Sequence, residues 1–158
     1  MTSKTKNAAN ETDNSLVEAV ERCLNHYISN SDNAQNCILA VYLFGSALQP
    51  EKFKPNSDID LAFFLEHSLY KQDPVINSAP AYMAAADLGT LMGRQTDVII
   101  LNSASIETAY QAVSTGILLY EGDPESRLEY EAALRGLYFD FRPFLVELRA
   151  KTMSCTAQ

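Results

Sequence analysis

The chain has 158 residues, of which 47% are apolar and 20% are charged. This length suits one domain with a core large enough to fold without disulfide bonds or structural metals. Twelve basic and 20 acidic residues give a formal net charge of −8. That charge argues against direct binding of nucleic acid, because an extended phosphate backbone needs clustered lysine and arginine.

The cysteines and the apolar runs predict the cellular setting. Cys23, Cys37 and Cys155 are odd in number and lack the spacing of a metal site, which favours free thiols in a reducing compartment. The sequence has no run of eighteen apolar residues and no charged-then-apolar leader. We therefore expect a cytoplasmic protein with no membrane partner.

The first predicted elements are a tail and a helix. Residues 1–14 are polar and predict a disordered N-terminal tail, followed by a folded domain over residues 15–150. Ser15 and Glu18 match a capping box, so we predict that the first helix begins there. A loop rich in Ser, Asn and Asp follows over residues 29–36.

Three strands and one helix are predicted in the middle of the chain. Apolar runs predict buried strands over residues 37–44, 58–65 and 97–101. Residues 67–78 predict a loop, and residues 79–93, rich in Ala, Leu and Met, predict a helix. This mixture of strands and helices predicts an α/β fold, although periodicity does not give the order of the strands.

The C-terminal part predicts two further helices around a fourth strand. Ser105 caps a short helix that stops at Gly116, and residues 117–120 predict the strand. Asp123 and Pro124 then supply an N-cap and a proline at the first helical position. The last helix is therefore predicted to begin at this pair.

An apolar stripe runs along this last helix. Its members recur at helical spacing and are Tyr130, Leu134, Leu137, Phe141, Phe144 and Leu148. Pro143 should remove a helical hydrogen bond and bend the helix, so Phe144 and Leu148 are candidates for contact with a partner. The alternative is that the whole stripe lies in the core. Residues 151–158 predict a flexible tail.

A candidate nucleotide site begins at Gly45 and Ser46, which follow the first predicted strand. Glycine lacks a Cβ, so a triphosphate can approach the backbone closely at this turn. Ser46 can offer both its backbone N–H and its hydroxyl to phosphate oxygens. Both residues are therefore candidate nucleotide-binding residues.

Three aspartates complete the candidate site. Alternation along the second strand places Asp58 and Asp60 on one face, and Asp97 opens the next predicted strand. Such carboxylates suit Mg²⁺ that also bridges substrate phosphates, and three of them can hold two ions. An Asp-x-Asp at a strand end is also common without function. Here, however, two like charges opening an apolar strand would repel each other unless a cation neutralised them.

These motifs resemble those of a known family. Residues 43–46, 56–61 and 96–99 resemble the signature of the nucleotidyltransferase superfamily related to DNA polymerase β, in its minimal single-domain (MNT) form. Residues 116–124 and 138–145 resemble the closing strand and final helix of MntA-type antitoxins, which are encoded beside HEPN ribonuclease toxins. The resemblance implies the nucleotidyltransferase fold, a small mixed sheet of about four strands flanked by helices.

The resemblance also implies an activity. The chain would transfer AMP from ATP to a tyrosine hydroxyl of a cognate HEPN toxin, which neutralises the toxin. Asp58 and Asp60 would ligate two Mg²⁺ ions, while Asp97 would ligate the catalytic ion and accept the proton of the attacking hydroxyl. Gly45 and Ser46 would bind the β- and γ-phosphates.

The sequence departs from the family pattern in one loop and leaves two other functions open. Residues 47–57 number eleven where the family usually has about ten, and they lack an arginine soon after the serine. Lys52 and Lys54 lie in this loop and could supply a phosphate contact. The open alternatives are transfer to a small molecule, such as an aminoglycoside, and a non-catalytic antitoxin that only binds. The intact trio of carboxylates argues against the second.

Overall fold

The computed structural model describes residues 4–49 and 51–155, with side chains for residues 15–49 and 51–154. In this part of the chain the elements are α1 (Lys4–Ser29), α2 (Asp32–Cys37), β1 (Ile38–Phe44), β2 (Ile59–Leu65), α3 (His67–Gln72), α4 (Pro74–Met92), β3 (Thr96–Ile100), α5 (Ile106–Thr115), β4 (Ile117–Glu121) and α6 (Pro124–Cys155). A short 3₁₀ turn, Gly45–Leu48, follows β1.

The four strands form one sheet in the order β3-β2-β1-β4. β1 pairs antiparallel with both β2 and β4, whereas β3 lies parallel to β2. The predicted fold class, a mixed sheet of about four strands flanked by helices, is therefore confirmed. The register places Phe44 opposite Asp60 and Asp60 opposite Asp97, so the end of β1 meets the beginnings of β2 and β3 at one edge of the sheet.

Each face of the sheet is covered by its own apolar layer. Helices α1, α2 and α4 pack on one face, where the buried side chains from β2 are Ile59, Leu61, Phe63 and Leu65. Helices α5 and α6 pack on the other face, against Ala62 and Phe64 from the same strand. The alternation predicted for β2 is thus confirmed. Since Asp60 has the parity of Ala62, it lies on the face that α5 and α6 cover.

The first half of α6 is held on the sheet by a polar network. The Tyr42 hydroxyl donates to Glu131 Oε1 at 2.7 Å, and Arg127 Nη1 contacts the same oxygen at 2.7 Å. Arg127 also pairs with Glu121 at the end of β4. Because Tyr42 is only 2% exposed, this network joins the helix to the interior of β1.

The second half of α6 lies mostly at the surface. Tyr138 still stacks on Tyr110 of α5, with ring centroids 3.7 Å apart. The helix then continues through Pro143, and Phe144 and Leu148 are 60% and 52% exposed. The alternative that places these two side chains in the core is therefore wrong.

Several predicted loops and tails are helical. α1 begins at Lys4, inside the predicted tail, and passes through the capping box at Ser15. α2 occupies most of the predicted loop over residues 29–36 because Ser31 caps it, accepting a hydrogen bond from the Ala34 N–H. α6 continues to Cys155, and residues 156–158 lie outside the described part, as do residues 1–3. The division into one domain and two tails stays a prediction.

The prediction of a loop over residues 67–78 is also wrong. It holds α3 and the first turn of α4, which begins at Pro74. Asp73 caps α4 by accepting hydrogen bonds from the N–H groups of Val75 at 3.1 Å and Ile76 at 3.0 Å. In the described part of the chain, no helix combines the length and hydropathy needed to cross a membrane.

Candidate active site

A left-handed glycine forms the turn at the end of β1. Gly45 has φ +76°, a backbone conformation that residues with a side chain rarely adopt. A Cβ at this position would collide with Oδ2 of Asp60 and would lie 3.1 Å from its Cγ. Glycine is therefore required here for two reasons, the turn itself and the close approach of the Asp60 carboxylate.

The surroundings of Asp60 raise the pKa of its carboxyl. Burial raises the pKa of its carboxyl, and the nearby carboxylates of Asp97 and Asp58 raise it further, while a hydrogen bond from the Ser46 backbone N–H lowers it. The charged form is thus disfavoured by its surroundings more than it is stabilised by them. A carboxylate in this situation is suited to a cationic partner.

The two other aspartates flank Asp60. Asp97 is its register partner on β3 and is exposed, whereas Asp58 is partly buried at the entrance to β2. Asp58 also lines a cleft of about 320 Å³ formed by residues 55–58 and 93–95. The structure therefore brings Asp58, Asp60 and Asp97 to one edge of the sheet, beside the Gly45 turn.

The carboxylates are neighbours without forming a closed ligand set. Among the described side chains, no three His, Cys, Asp or Glu groups are gathered tightly enough to hold a metal ion. Mutual repulsion of like charges favours such separation. The donor set nevertheless fits Mg²⁺, which is usually bound through one or two carboxylates and the phosphates of the substrate rather than by a cage made only of protein. Asp58 and Asp60 supply such a pair of hard oxygen ligands.

Ser46 differs from its prediction in one respect. Its backbone N–H donates to Asp60 and so is used within the protein. Of the two donors predicted for phosphate, the hydroxyl is the one that this hydrogen bond leaves available. The lysines of the following loop, Lys52 and Lys54, have exposed side chains. Their suggested contact with phosphate stays a prediction.

Arg94 is a residue of this region that sequence reasoning missed. It lines the same cleft as Asp58, and its Nη1 donates to the backbone oxygens of Lys54 and Ser57, each at 3.0 Å. Contacts between a side chain and backbone carbonyls so far away in the chain leave no pattern of spacing. The one available signal was the position of Arg94 directly after a helix-ending glycine.

Comparison with known proteins places this geometry in context. Residues 26–125 match the model of the family described as Polymerase beta, Nucleotidyltransferase. That range contains every residue of the candidate site. No curated protein sequence matches the chain significantly.

Solved structures share the fold at low sequence identity. A toxin–antitoxin complex with AMP-PNP has a TM-score of 0.64 and 22% identity, covering 84% of this chain and 98% of that one. A MntA toxin–antitoxin mutant, with two aspartates two positions apart changed to glutamate, has a TM-score of 0.65 and 21% identity, covering 84% and 98%. A tri-AMPylated Shewanella oneidensis HEPN toxin in complex with MNT antitoxin gives 0.58 and 21%, covering 85% and 98%.

Proposed function

The chain belongs to the polymerase β nucleotidyltransferase family, and on that basis we propose that it is an antitoxin that transfers AMP from ATP to a tyrosine of a cognate HEPN ribonuclease toxin. Support comes from the structures that share its fold, which include an MNT antitoxin with a tri-AMPylated HEPN toxin and a toxin–antitoxin complex with AMP-PNP. The paired aspartates altered in one of them have the spacing of Asp58 and Asp60.

One observation carries the proposal. Asp60 lies opposite Asp97 in the sheet and touches the turn at Gly45 and Ser46, so the acidic groups and the glycine-serine turn occur at one place. A structural role for this cluster is disfavoured, because the carboxylates raise the pKa of Asp60 instead of stabilising its charge. Displacement at phosphorus needs this combination of features.

The proposed roles follow from these positions. Asp58 and Asp60 would hold Mg²⁺ together with triphosphate oxygens, and Asp97 would contribute to a second ion. Bound Mg²⁺ neutralises charge at the α-phosphate and on the leaving oxygen. The hydroxyl of Ser46 would donate to a β- or γ-phosphate oxygen. Gly45 would form the left-handed turn that places Ser46 beside Asp60.

Exposed Asp97 is accessible to an acceptor from another protein. Its carboxylate would accept the proton of the tyrosine hydroxyl as that oxygen bonds to the α-phosphorus. The bond from the α-phosphorus to the oxygen that bridges to the β-phosphate breaks, and pyrophosphate leaves. The products are an AMP ester of tyrosine and pyrophosphate.

Intact-mass spectrometry tests the proposed function directly. When this chain is co-expressed with a HEPN protein encoded beside it, we expect the mass of that protein to rise by whole AMP increments, and we expect no rise with Asp58→Asn. An unmodified HEPN protein together with an AMP-modified aminoglycoside would place the acceptor among small molecules. Neutralisation by Asp58→Asn without any mass change would instead identify an antitoxin that only binds.

The exposed half of α6 is the proposed docking surface for the toxin. This distal surface comprises Leu137, Phe141, Phe144 and Leu148, which are 47%, 46%, 60% and 52% exposed. A contiguous apolar row of this kind marks an interaction site more often than a free surface. Arg149 of α6 pairs with Glu107 of α5, which holds the helix against the domain next to this surface. A net charge of −8 also suits an RNA-binding, and hence basic, toxin.

Replacing both Phe144 and Leu148 with Ser should separate binding from folding. Because both side chains are exposed, we expect a change in the free energy of unfolding of about 0.5 kcal/mol or less per site. Stabilisation by Mg²⁺ and ATP should be retained, whereas modification of the toxin should be lost. Circular dichroism, thermal melts and intact-mass spectrometry measure these three properties.

A matched control makes the same chemical change on another surface. Val75 and Ile76 of α4 are 82% and 67% exposed, so the double serine variant there alters an apolar pair that is more accessible than Phe144 and Leu148. We expect this control to modify the toxin normally. Loss of modification in the control, with normal modification by the α6 variant, would move the docking surface to α4.

A further inference from the structure

Arg94 ties the loop before Asp58 to the end of α4. Its Nη1 donates to Lys54 O and Ser57 O, each at 3.0 Å. The guanidinium carbon lies 4.4 Å from the centroid of the Phe53 ring, within range of a cation–π contact. One side chain therefore contacts the loop at three of its residues.

The backbone on both sides of Arg94 is fixed. Gly93 ends α4 in the left-handed conformation, with φ +62°, and the Arg94 N–H donates to Gly89 O at 3.0 Å. The oxygen of Gln95 then accepts the N–H of Ile59 at 2.9 Å. These two hydrogen bonds fix the backbone on either side of Arg94. The position from which its side chain reaches the loop is therefore fixed as well.

The loop depends on this side chain for part of its order. Within the loop, the Lys54 N–H donates to Ser57 Oγ and the Ser57 N–H donates to Lys54 O, each at 2.9 Å. Arg94, which lies outside the loop, donates hydrogen bonds to the backbone oxygens of the same two residues, Lys54 and Ser57. Among the described side chains, Arg94 has no carboxylate within ion-pair distance, so its contacts are to the loop backbone and to Phe53.

We propose that Arg94 is a positioning residue for the nucleotide site. It holds residues 53–57 in one conformation and thereby fixes Asp58, the next residue, where Mg²⁺ and the triphosphate bind. The effect on nucleotide affinity rests on the proposed function. The effect on the loop itself does not, because it follows from the hydrogen bonds alone.

Two substitutions and one control test the proposal. Arg94→Ala removes the contacts and the charge, whereas Arg94→Lys keeps the charge but lacks the planar fork that bridges carbonyls and stacks on an aromatic ring. Arg22, an exposed arginine of α1, gives the control Arg22→Ala. Hydrogen exchange at the Ser57 and Ile59 amides and tryptic cleavage after Lys52 report on the loop. The KM for ATP in the presence of Mg²⁺ and the kcat report on the site.

We expect both Arg94 variants to exchange these amides and to be cut after Lys52 about tenfold faster or more than the wild type. KM for ATP should rise on the order of tenfold with kcat within a few-fold, as for loss of ground-state binding. A residue with only a structural role would lower the melting temperature without this split. Should Arg94→Ala not fold, Arg94→Lys and Phe53→Leu provide the same readouts.

Three outcomes decide the matter. Loop exchange in the Arg94 variants equal to that of Arg22→Ala overturns the proposal. Full rescue of exchange and KM by Arg94→Lys also overturns it, since charge alone would then suffice. If the Arg94 variants show faster loop exchange and the wild type transfers no AMP, the result supports the role of Arg94 in ordering the loop and refutes the proposed function.

Discussion

Asp60→Asn is expected to abolish AMP transfer and to remove the thermal stabilisation that Mg²⁺ and ATP together give the wild type. Ligand at a hundred times its dissociation constant stabilises a folded protein by about 2.7 kcal/mol, which corresponds to roughly 5–10 °C for a domain of this size. We expect either ligand alone to have little effect, because the triphosphate completes the Mg²⁺ coordination shell. Differential scanning fluorimetry of four samples, with neither, either or both ligands, measures this directly.

The same variant should be at least as stable as the wild type without ligands. The raised pKa of Asp60 means that the folded protein holds this proton more tightly than the unfolded chain does. Stability is therefore lost as pH rises from the ordinary carboxyl pKa through the raised one. Asparagine is uncharged and can still accept the Ser46 N–H, so the loss should be absent in the variant.

Asp87, an exposed carboxylate on α4, offers the control Asp87→Asn. That variant should keep both the ligand-induced shift and AMP transfer. If Asp60→Asn folds and retains the full shift with Mg²⁺ and ATP, the nucleotide site lies elsewhere. A large loss of stability in the metal-free variant would show that the carboxylate has a structural role instead.

Asp97→Asn should lower the rate far more than it lowers nucleotide binding. Under the proposed roles, Asp58 and Asp60 would remain to ligate the ion that carries the triphosphate, whereas the acceptor hydroxyl would lose its base. We expect kcat to fall on the order of a hundredfold or more, the usual effect of removing a positioned base. Single-turnover transfer and the ligand-induced shift in melting temperature separate the two effects. An equal loss of affinity and rate would reduce Asp97 to a metal ligand without a base role.

The fold was predictable where the sequence pattern reports burial. The strands, α5 and the start of α6 occur close to their predicted positions. Apolar runs mark buried strands, and the side chains of Ser105 and Asp123 accept hydrogen bonds from the first turns of α5 and α6. α4 was predicted too short, although Asp73 and Pro74 carry the same start signal as Asp123 and Pro124. α2 could not be read from its pattern, since it is six residues long and rich in asparagine.

The site was predictable to the extent that strand parity determines it. Alternation predicts that Asp58 and Asp60 share a face, and in the structure the pairing of β2 with β3 brings Asp97 opposite Asp60, while Asp58 lies directly before β2. Their metal and catalytic roles stay predictions. Parity does not reveal where the Ser46 N–H is used, or that Arg94 reaches back to Lys54, because both depend on the path of a loop in space.

Because β3 lies at the edge of the sheet, Asp97 is held in place by a less stable strand than Asp60 is. β2 has neighbours on both sides, whereas β3 pairs with β2 alone among the described strands and is five residues long. Short edge segments fray at a lower free energy than global unfolding requires. Warming would therefore displace Asp97 before it disturbs Asp58 or Asp60. Under the proposed function, a mildly heated protein would therefore still bind ATP while its rate of AMP transfer falls, so transfer would be lost at a lower temperature than nucleotide binding.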